Sequence, residues 1–308
     1  MKVTLIHNDS SGRAISLEQI GETLTRHGHE LAHVLGEDAD VAQHLADEHP
    51  EVVLAAGGDG TVAAAARALA GQAVPLAILP LGTANNIARS LGRGTSLDEV
   101  VASWAHARQV DMGVAEGPWG RRRFIESVGM GLVPAGIAAM DRWPAQHDLV
   151  AHAQVEQAVR AFRDSLPHLE ARPCRLALDG VPDDGQYLLV EVMIIRSIGP
   201  NLVLAHDADP SDGLFSVVVA GEQDRDALMR YFDRRLAANE AGTDGEDEEA
   251  TLRLPVRTAR QVTLQSEGPL HVDDRLFDVP GGQPVSLLIE PGALRVLGAG
   301  APPEAGKD

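Results

Sequence analysis

Cysteine is almost absent from this chain of 308 residues: Cys174 is the only one. An intrachain disulfide and a cysteine-built zinc site are both excluded, which fits a reducing, cytoplasmic compartment. Cys174 itself reads as a small core hydrophobe. Aromatic residues make up only 3%, so the core must come from Ala, Val, Leu and Ile, and stacking platforms for single-stranded nucleic acid are not expected. Positive charge is short too, with 26 Lys+Arg against 45 Asp+Glu and a formal net charge of −19. Duplex binding relies on a basic face that displaces counterions, so a nucleic-acid partner is disfavoured. Long apolar runs are missing. The stretch from Met1 to Asp9 meets charge and turn residues too early for a secretory segment. The longest uncharged window, Ala68 to Ala88, is cut by Pro75, Pro80, Gly82, Asn85 and Asn86, leaving no transmembrane span of about 20 apolar residues. Among the twelve histidines, His27 and His29, and His147 and His152, are too loosely spaced for a zinc pair, and all are read as solvated.

What is present is a change of rhythm. Up to about Asp111, apolar strands alternate with helical patterns: Val3 to His7, Leu31 to Leu35, Val52 to Ala56 and Leu76 to Leu79 against Ser16 to His27, Val41 to Glu48, Val62 to Ala70 and Ala84 to Leu91. Fully apolar strands alternating with helices predict an α/β domain with a parallel sheet covered on both faces. Beyond it, short β segments predominate: Phe124 to Val128, Arg175 to Leu178, Tyr187 to Ile195, Leu214 to Val219, Gln261 to Gln265 and Val285 to Ile289. They predict a β-rich, sandwich-like domain over residues 112–290, with 1–111 and a returning segment at about 291–308 forming the first domain. Two helices interrupt the second domain, Asp148 to Leu166, burying Leu149, Val155, Val159, Phe162 and Leu166, and Arg225 to Leu236. Arg121-Arg122-Arg123, after Gly117-Pro118-Trp119-Gly120, reads as the start of a hairpin strand. The acidic stretch Asn239 to Ala250 reads as a solvated loop and the tail after Gly298 as frayed.

The strongest chemical signal is Gly57-Gly58-Asp59-Gly60-Thr61, a turn between a buried strand and a helix start. Glycines let the backbone approach a ligand, and a helix N-terminus favours an anion, so a phosphate cradle is the natural reading. Asp59 would repel a bare phosphate and makes sense there with a divalent cation between; as a plain turn, Asp and Thr would serve as caps. A dinucleotide fingerprint fits poorly, because no Asp or Glu occurs from Thr61 to Leu97 to hold a ribose. No G-x-x-x-x-G-K-[ST] loop exists. A second loop, Pro80-Leu81-Gly82-Thr83-Ala84-Asn85-Asn86, lies between the next strand and helix, so neighbouring parallel strands would bring both loops and the Asn8 to Gly12 turn to one sheet edge. Asn85 and Asn86 read equally well as helix caps.

These residues, Asn8 with Ser11-Gly12, Gly57 to Thr61 and Pro80 to Asn86, resemble the lipid kinase family that contains bacterial diacylglycerol kinases and sphingosine kinases, within a superfamily shared with the NAD kinases. Asp209-Pro210-Ser211-Asp212-Gly213-Leu214 resembles the family's structural-magnesium segment, and Pro291 to Val296 its closing strand. The resemblance implies an ATP-binding α/β domain, a β-sandwich-like domain and a substrate cleft between them. It implies that Asn8, Ser11, Gly12, Gly57, Gly58, Gly60, Thr61 and Thr83, with Asn85 and Asn86 beside them, line the ATP phosphates. Asp59 would hold catalytic Mg2+; Asp209, Asp212 and the Leu214 carbonyl would hold a structural metal, though a Pro-Ser-Asp-Gly turn explains that segment as well.

The sequence departs from the family pattern twice. Asn86 stands where the family has Asp. At the family's Asp-Gly-Glu segment, whose acids are assigned to deprotonating the acceptor hydroxyl, this chain has Asp273-Asp274-Arg275. A carboxylate accepts a proton and a guanidinium does not, so Asp273 or Asp274 becomes the candidate base and Arg275 a phosphate contact. A charged hairpin is the plain alternative. The expectation is an ATP- and Mg2+-dependent kinase of a diacylglycerol-like hydroxyl, cytoplasmic and peripheral to a membrane, with a homodimer compatible with its Leu/Val-rich edge strands. A catalytically impaired nucleotide- or lipid-binding regulator and a kinase of a soluble alcohol stay open beside it.

Overall fold

The computed structural model describes residues 1–7, 15–36, 39–92, 96–142, 151–240 and 252–298. The N-terminal elements are β1 (Lys2–His7), α1 (Leu17–Arg26), β2 (Glu30–Leu35), α2 (Val41–Glu48), β3 (Val52–Gly57), α3 (Asp59–Leu69), β4 (Leu76–Pro80), α4 (Asn86–Ser90) and α5 (Leu97–Ala102). Next come β5 (Ala107–Gly117), β6 (Gly120–Phe124), β7 (Ser127–Gly131), α6 (Leu132–Met140), α7 (Ala151–Ser165), β8 (Arg172–Leu178), β9 (Val181–Pro182), β10 (Gly185–Tyr187) and β11 (Leu189–Met193). The chain closes with β12 (Ser197–Ile198), β13 (Leu202–Val203), β14 (Phe215–Ala220), α8 (Arg225–Glu240), β15 (Val256–Ala259), β16 (Gln261–Gln265), β17 (Leu270–Val272), β18 (Arg275–Phe277) and β19 (Val285–Leu297). Two units result: Met1–Met112 with Asp209–Asp212 and Pro291–Asp308, and Gly113–Ala208 with Gly213–Glu290. Among the described residues no helix is long and apolar enough to cross a membrane.

In the first unit β2, β1, β3 and β4 lie in that order, all parallel, and the end of β19 joins β4 in parallel through Val296 and Leu76. Val52 to Ala56 are wholly buried, the continuous apolar run that a sheet covered on both faces requires. Ile20 and Leu24 of α1 and Val100 and Val101 of α5 pack on the face made by Val3, Leu5, Val52, Leu54, Ala77 and Leu79. Ser16 closes a capping box with Gln19 and starts α1; Ser96 and Glu99 do the same for α5. Two predicted bounds move. The helix after β3 starts at Asp59 rather than Val62, because Gly57 and Gly58 alone make the turn and the Asp59 carboxylate suits the positive end of the helix. The helix predicted over Ala84 to Leu91 shortens to α4, since Asn85 is left-handed at φ 54°. The short helix α5 was not predicted.

The second unit is antiparallel and sandwich-like, as the β-rich reading expected. One of its sheets runs β10, β8, β16 and the start of β19; another runs β15, β14, β11, β7, β17, β18. Helices α7 and α8 cover the latter: Val159, Phe162, Leu228 and Phe232 pack with Leu189, Met193, Val218 and Ala220. The arginine run falls on β6, hairpinned to β5 with Glu116 opposite Arg121. Two predicted strands divide. Phe124 to Val128 breaks at Ile125 and Glu126, whose N–H groups donate to the Asp273 carboxylate instead of a ladder. Tyr187 to Ile195 breaks at Leu188, where the chain passes from the sheet of β8 to the sheet of β14. Strand β19 continues through Pro291 and Gly292 well past the predicted Ile289. Helix α8 runs to Glu240, through the first two residues of the predicted acidic loop; the rest of that loop, the tail after Gly298, and Leu149 lie outside the described residues. Helix α6 was not predicted, because its Leu-Val-Pro-Ala-Gly-Ile-Ala-Ala-Met sequence is apolar all round and shows no period.

Candidate functional site

In the first unit, the turns after β3 and β4 leave neighbouring parallel strands at the same carboxyl edge, the side on which open α/β sheets bind ligands. They touch backbone to backbone. A Cβ placed on Gly82 would stand 2.4 Å from the Gly58 Cα, and one on Gly57 would stand 2.4 Å from the Thr61 hydroxyl oxygen. Leu81 N donates to Gly57 O at 3.0 Å, and the Asn85 side chain brackets Gly82, accepting from its N–H at 3.0 Å and donating to its carbonyl at 2.7 Å. Glycine is thus a steric requirement at Gly57 and Gly82, and the edge is kept shallow enough for a ligand to reach main-chain N–H groups. Gly60 is exposed, Gly58, Thr83 and Asn85 are half-buried, and Thr61 and Asn86 are buried. Asn8, Ser11 and Gly12 lie outside the described residues.

Asp59 ties the two turns together. Its Oδ2 accepts from Asn86 N and its Oδ1 from Ile87 N, both at 3.0 Å, so a carboxylate in the first turn of α3 also caps α4. A carboxylate is also the ligand type that an oxygen-loving cation such as Mg2+ prefers. The segment Asp209–Asp212 is held differently. Asp209 Oδ1 accepts from the Arg108 guanidinium, from Ser211 Oγ at 2.8 Å and from Ser211 N at 3.0 Å. Asp212 N closes the turn on Asp209 O at 3.3 Å. Three donors, one of them cationic, converge on Asp209 Oδ1 and hold an arginine-bound turn; Leu214 precedes β14 and belongs to the second unit. Among the described residues no group of three or more His, Cys, Asp or Glu could hold a metal ion.

In the second unit, Asp273-Asp274 forms the two-residue turn between β17 and β18, with Val272 paired to Arg275. Asp273 is 4% exposed and adopts φ 51°; Asp274 and Arg275 are exposed. Asp273 Oδ1 accepts from Ile125 N at 3.2 Å and Glu126 N at 2.9 Å, and Asp273 N donates to Ser127 O at 2.9 Å. His271, expected in solvent, is instead 1% exposed. The cause is Glu191, whose two carboxylate oxygens lie 3.0 and 2.9 Å from His271 Nε2, while Nδ1 lies 2.8 Å from Asp273 O. Burial disfavours the imidazolium, but the Glu191 carboxylate and the Asp273 carbonyl outweigh it and raise the His271 pKa above its ordinary value. Glu191 went unread in the sequence, although a lone carboxylate inside the apolar run Leu188 to Ile195 signals a buried, paired charge. Cys174 is buried as expected, its thiol pushed up to about 11 by desolvation, which leaves it inert at neutral pH.

Comparison with known proteins agrees with this fold. The diacylglycerol kinase catalytic domain matches residues 2–115, and the YegS C-terminal NAD kinase beta sandwich-like domain matches residues 131–298. A diacylglycerol kinase of Mycobacterium tuberculosis is 29% identical over 96% of this chain and 94% of its own. One of Bacillus subtilis is 26% identical over 71% of this chain and 73% of its own. In three dimensions, a diacylglycerol kinase from Bacillus anthracis superposes with a TM-score of 0.69 at 19% identity, covering 96% of both chains. An NAD kinase from Archaeoglobus fulgidus in complex with ATP superposes with a TM-score of 0.52 at 12% identity, covering 96% of this chain and 93% of that one. The structural likenesses establish the fold, and the two domain matches together establish the lineage: the chain belongs to the diacylglycerol kinase family of lipid kinases, with a catalytic domain followed by a YegS-type C-terminal domain.

Proposed function

We propose that this protein is an ATP- and Mg2+-dependent lipid kinase that phosphorylates the hydroxyl of a diacylglycerol-like acceptor at a membrane surface. The observation that carries the reading is the pair of glycine turns packed against each other at the carboxyl edge of the parallel sheet, with Asp59 between them. Gly57, Gly58, Gly60, Thr61 and Thr83 present main-chain and hydroxyl donors to the ATP phosphates, with Asn85 fixing the second turn and Asn8, Ser11 and Gly12 completing the cradle. Asp59 would hold Mg2+, which when bound would neutralise charge on the transferring phosphoryl group. Asp273 accepts the hydroxyl proton, Asp274 stands beside it, and the exposed Arg275 offers its planar fork to phosphate oxygens. Asp209, Asp212 and the Leu214 carbonyl would hold a structural metal, in a turn anchored by Arg108 and Ser211 on Asp209 Oδ1.

Two observations favour a second reading, a nucleotide- or lipid-binding regulator: Arg275 at the acidic position and the buried Asn86 beside Asp59. A kinase of a soluble alcohol is the third. Incubation with γ-labelled Mg-ATP and either a bacterial lipid extract in mixed micelles or soluble alcohols separates the three. Labelled lipid supports the first reading. Label in a soluble acceptor alone supports the third, and ATP binding with no transfer supports the regulator.

A further inference from the structure

Strands β14, β11, β7 and β17 place Val218, Glu191, Gly129 and His271 in one row, because Val218 pairs with Glu191, Glu191 with Gly129 and Gly129 with His271. Paired residues share a face of the sheet. Glu191 and His271 are thus two strands apart, about 10 Å between backbones, and only long side chains reaching across an empty position can meet. Gly129 is that empty position: a Cβ there would stand 2.1 Å from Glu191 Oε1. The pair sits at 0% and 1% exposure, where apolar side chains of similar volume would serve stability as well or better. Its geometry leads elsewhere. A carbonyl can only accept, so His271 Nδ1 carries a proton and donates it to Asp273 O. That bond seizes the one residue of the turn whose backbone is left-handed. The same residue's carboxylate reaches back to Ile125 and Glu126.

We propose that Glu191 and His271, meeting over Gly129, are positioning residues that hold the Asp273 turn, and with it the orientation of the Asp273 carboxylate. The role of that carboxylate as proton acceptor rests on the kinase reading above; the holding of the turn does not. Glu191 fixes the imidazole by its Nε2 edge, and the imidazole fixes the turn through Nδ1. Neither side chain touches the acceptor.

The test uses the full-length chain with the paired substitution Glu191→Leu/His271→Met, and Glu191→Gln as the shape-conserving variant should the apolar pair fail to fold. Three quantities are read: thermal midpoint, amide hydrogen exchange of the 270–277 segment, and lipid phosphorylation resolved into kcat and KM for ATP. The expected result is a thermal midpoint equal to or above wild type, faster exchange across the turn, and kcat lowered about 10- to 100-fold with KM for ATP unchanged, as sub-ångström misplacement of a proton acceptor entails. A purely structural pair would lower the midpoint and leave exchange in the turn no faster than elsewhere in the sheet; that pattern, or kcat within about twofold of wild type, overturns the proposal. If wild type transfers no phosphate, the kinase reading fails and the exchange data alone decide: faster exchange confined to the turn upholds the positioning role, and unchanged exchange refutes it.

Discussion

Gly82 and Gly58 differ in how much room a methyl group would have, and that difference makes a graded test. At Gly82 a Cβ would meet Gly58 Cα at 2.4 Å; at Gly58 it would meet Gly82 Cα at 3.3 Å. Gly82→Ala should cost about 1–3 kcal/mol and weaken ATP binding strongly, whereas Gly58→Ala should cost less than about 1 kcal/mol; urea unfolding and ATP titration read both. Asp59→Asn removes a charge that caps α4 and suits the positive end of α3, as well as the proposed Mg2+ ligand. It should cost about 1 kcal/mol of stability and lower turnover about 100-fold or more, measured by thermal melting and by phosphorylation across a Mg2+ series. A variant with full activity would remove Asp59 from the metal site. His271 gives a pH test. Its folded pKa is raised from 6.5, so its contribution is fully present below about pH 6.5 and is lost as pH rises through the raised folded value. The difference in melting temperature between wild type and His271→Gln should therefore be largest near pH 6 and shrink toward pH 9. A difference that grows with pH would contradict this.

At the scale of the element, the β17–β18 hairpin is the most informative. Asp273→Ala should leave the buried N–H groups of Ile125 and Glu126 without their acceptor and cost about 2–3 kcal/mol. Asp273→Asn, which keeps an acceptor oxygen and tolerates the left-handed backbone, should cost about 1 kcal/mol yet lower kcat about 100-fold or more. Equal kcat for wild type and Asp273→Asn would exclude the residue as base. This hairpin also shows what a sequence can and cannot disclose. Strands β1, β3 and β4 were legible because a doubly covered parallel strand is apolar at every position, and the two edge turns because glycine there is a steric demand. The partners of Asp273 and of its neighbour His271 were not legible, since Ile125 and Glu126 lie 148 and 147 residues from Asp273, Glu191 lies 80 residues from His271, and all meet only through sheet register. The break between β6 and β7 escaped for the same reason, because its cause is a carboxylate from another strand pair. By contrast α5 carries a readable capping box, Ser96 with Glu99, at the head of a helix of only 6 residues.

For the whole molecule, a net charge of −19 opposes general attraction to an anionic bilayer, so contact with a lipid acceptor must be local. Family membership sets the class of chemistry without naming the acceptor, which depends on the shape and chemistry of the site. The central claim is phosphoryl transfer from ATP to a lipid hydroxyl by a chain with Arg275 where an acid is expected. The most direct measurement is transfer of labelled γ-phosphate from Mg-ATP to a total bacterial lipid extract in mixed micelles, with products identified by lipid mass. The proposed kinase reading predicts a phosphorylated lipid whose formation falls about 100-fold or more with Asp273→Asn. Intact ATP binding with no labelled lipid would contradict the claim.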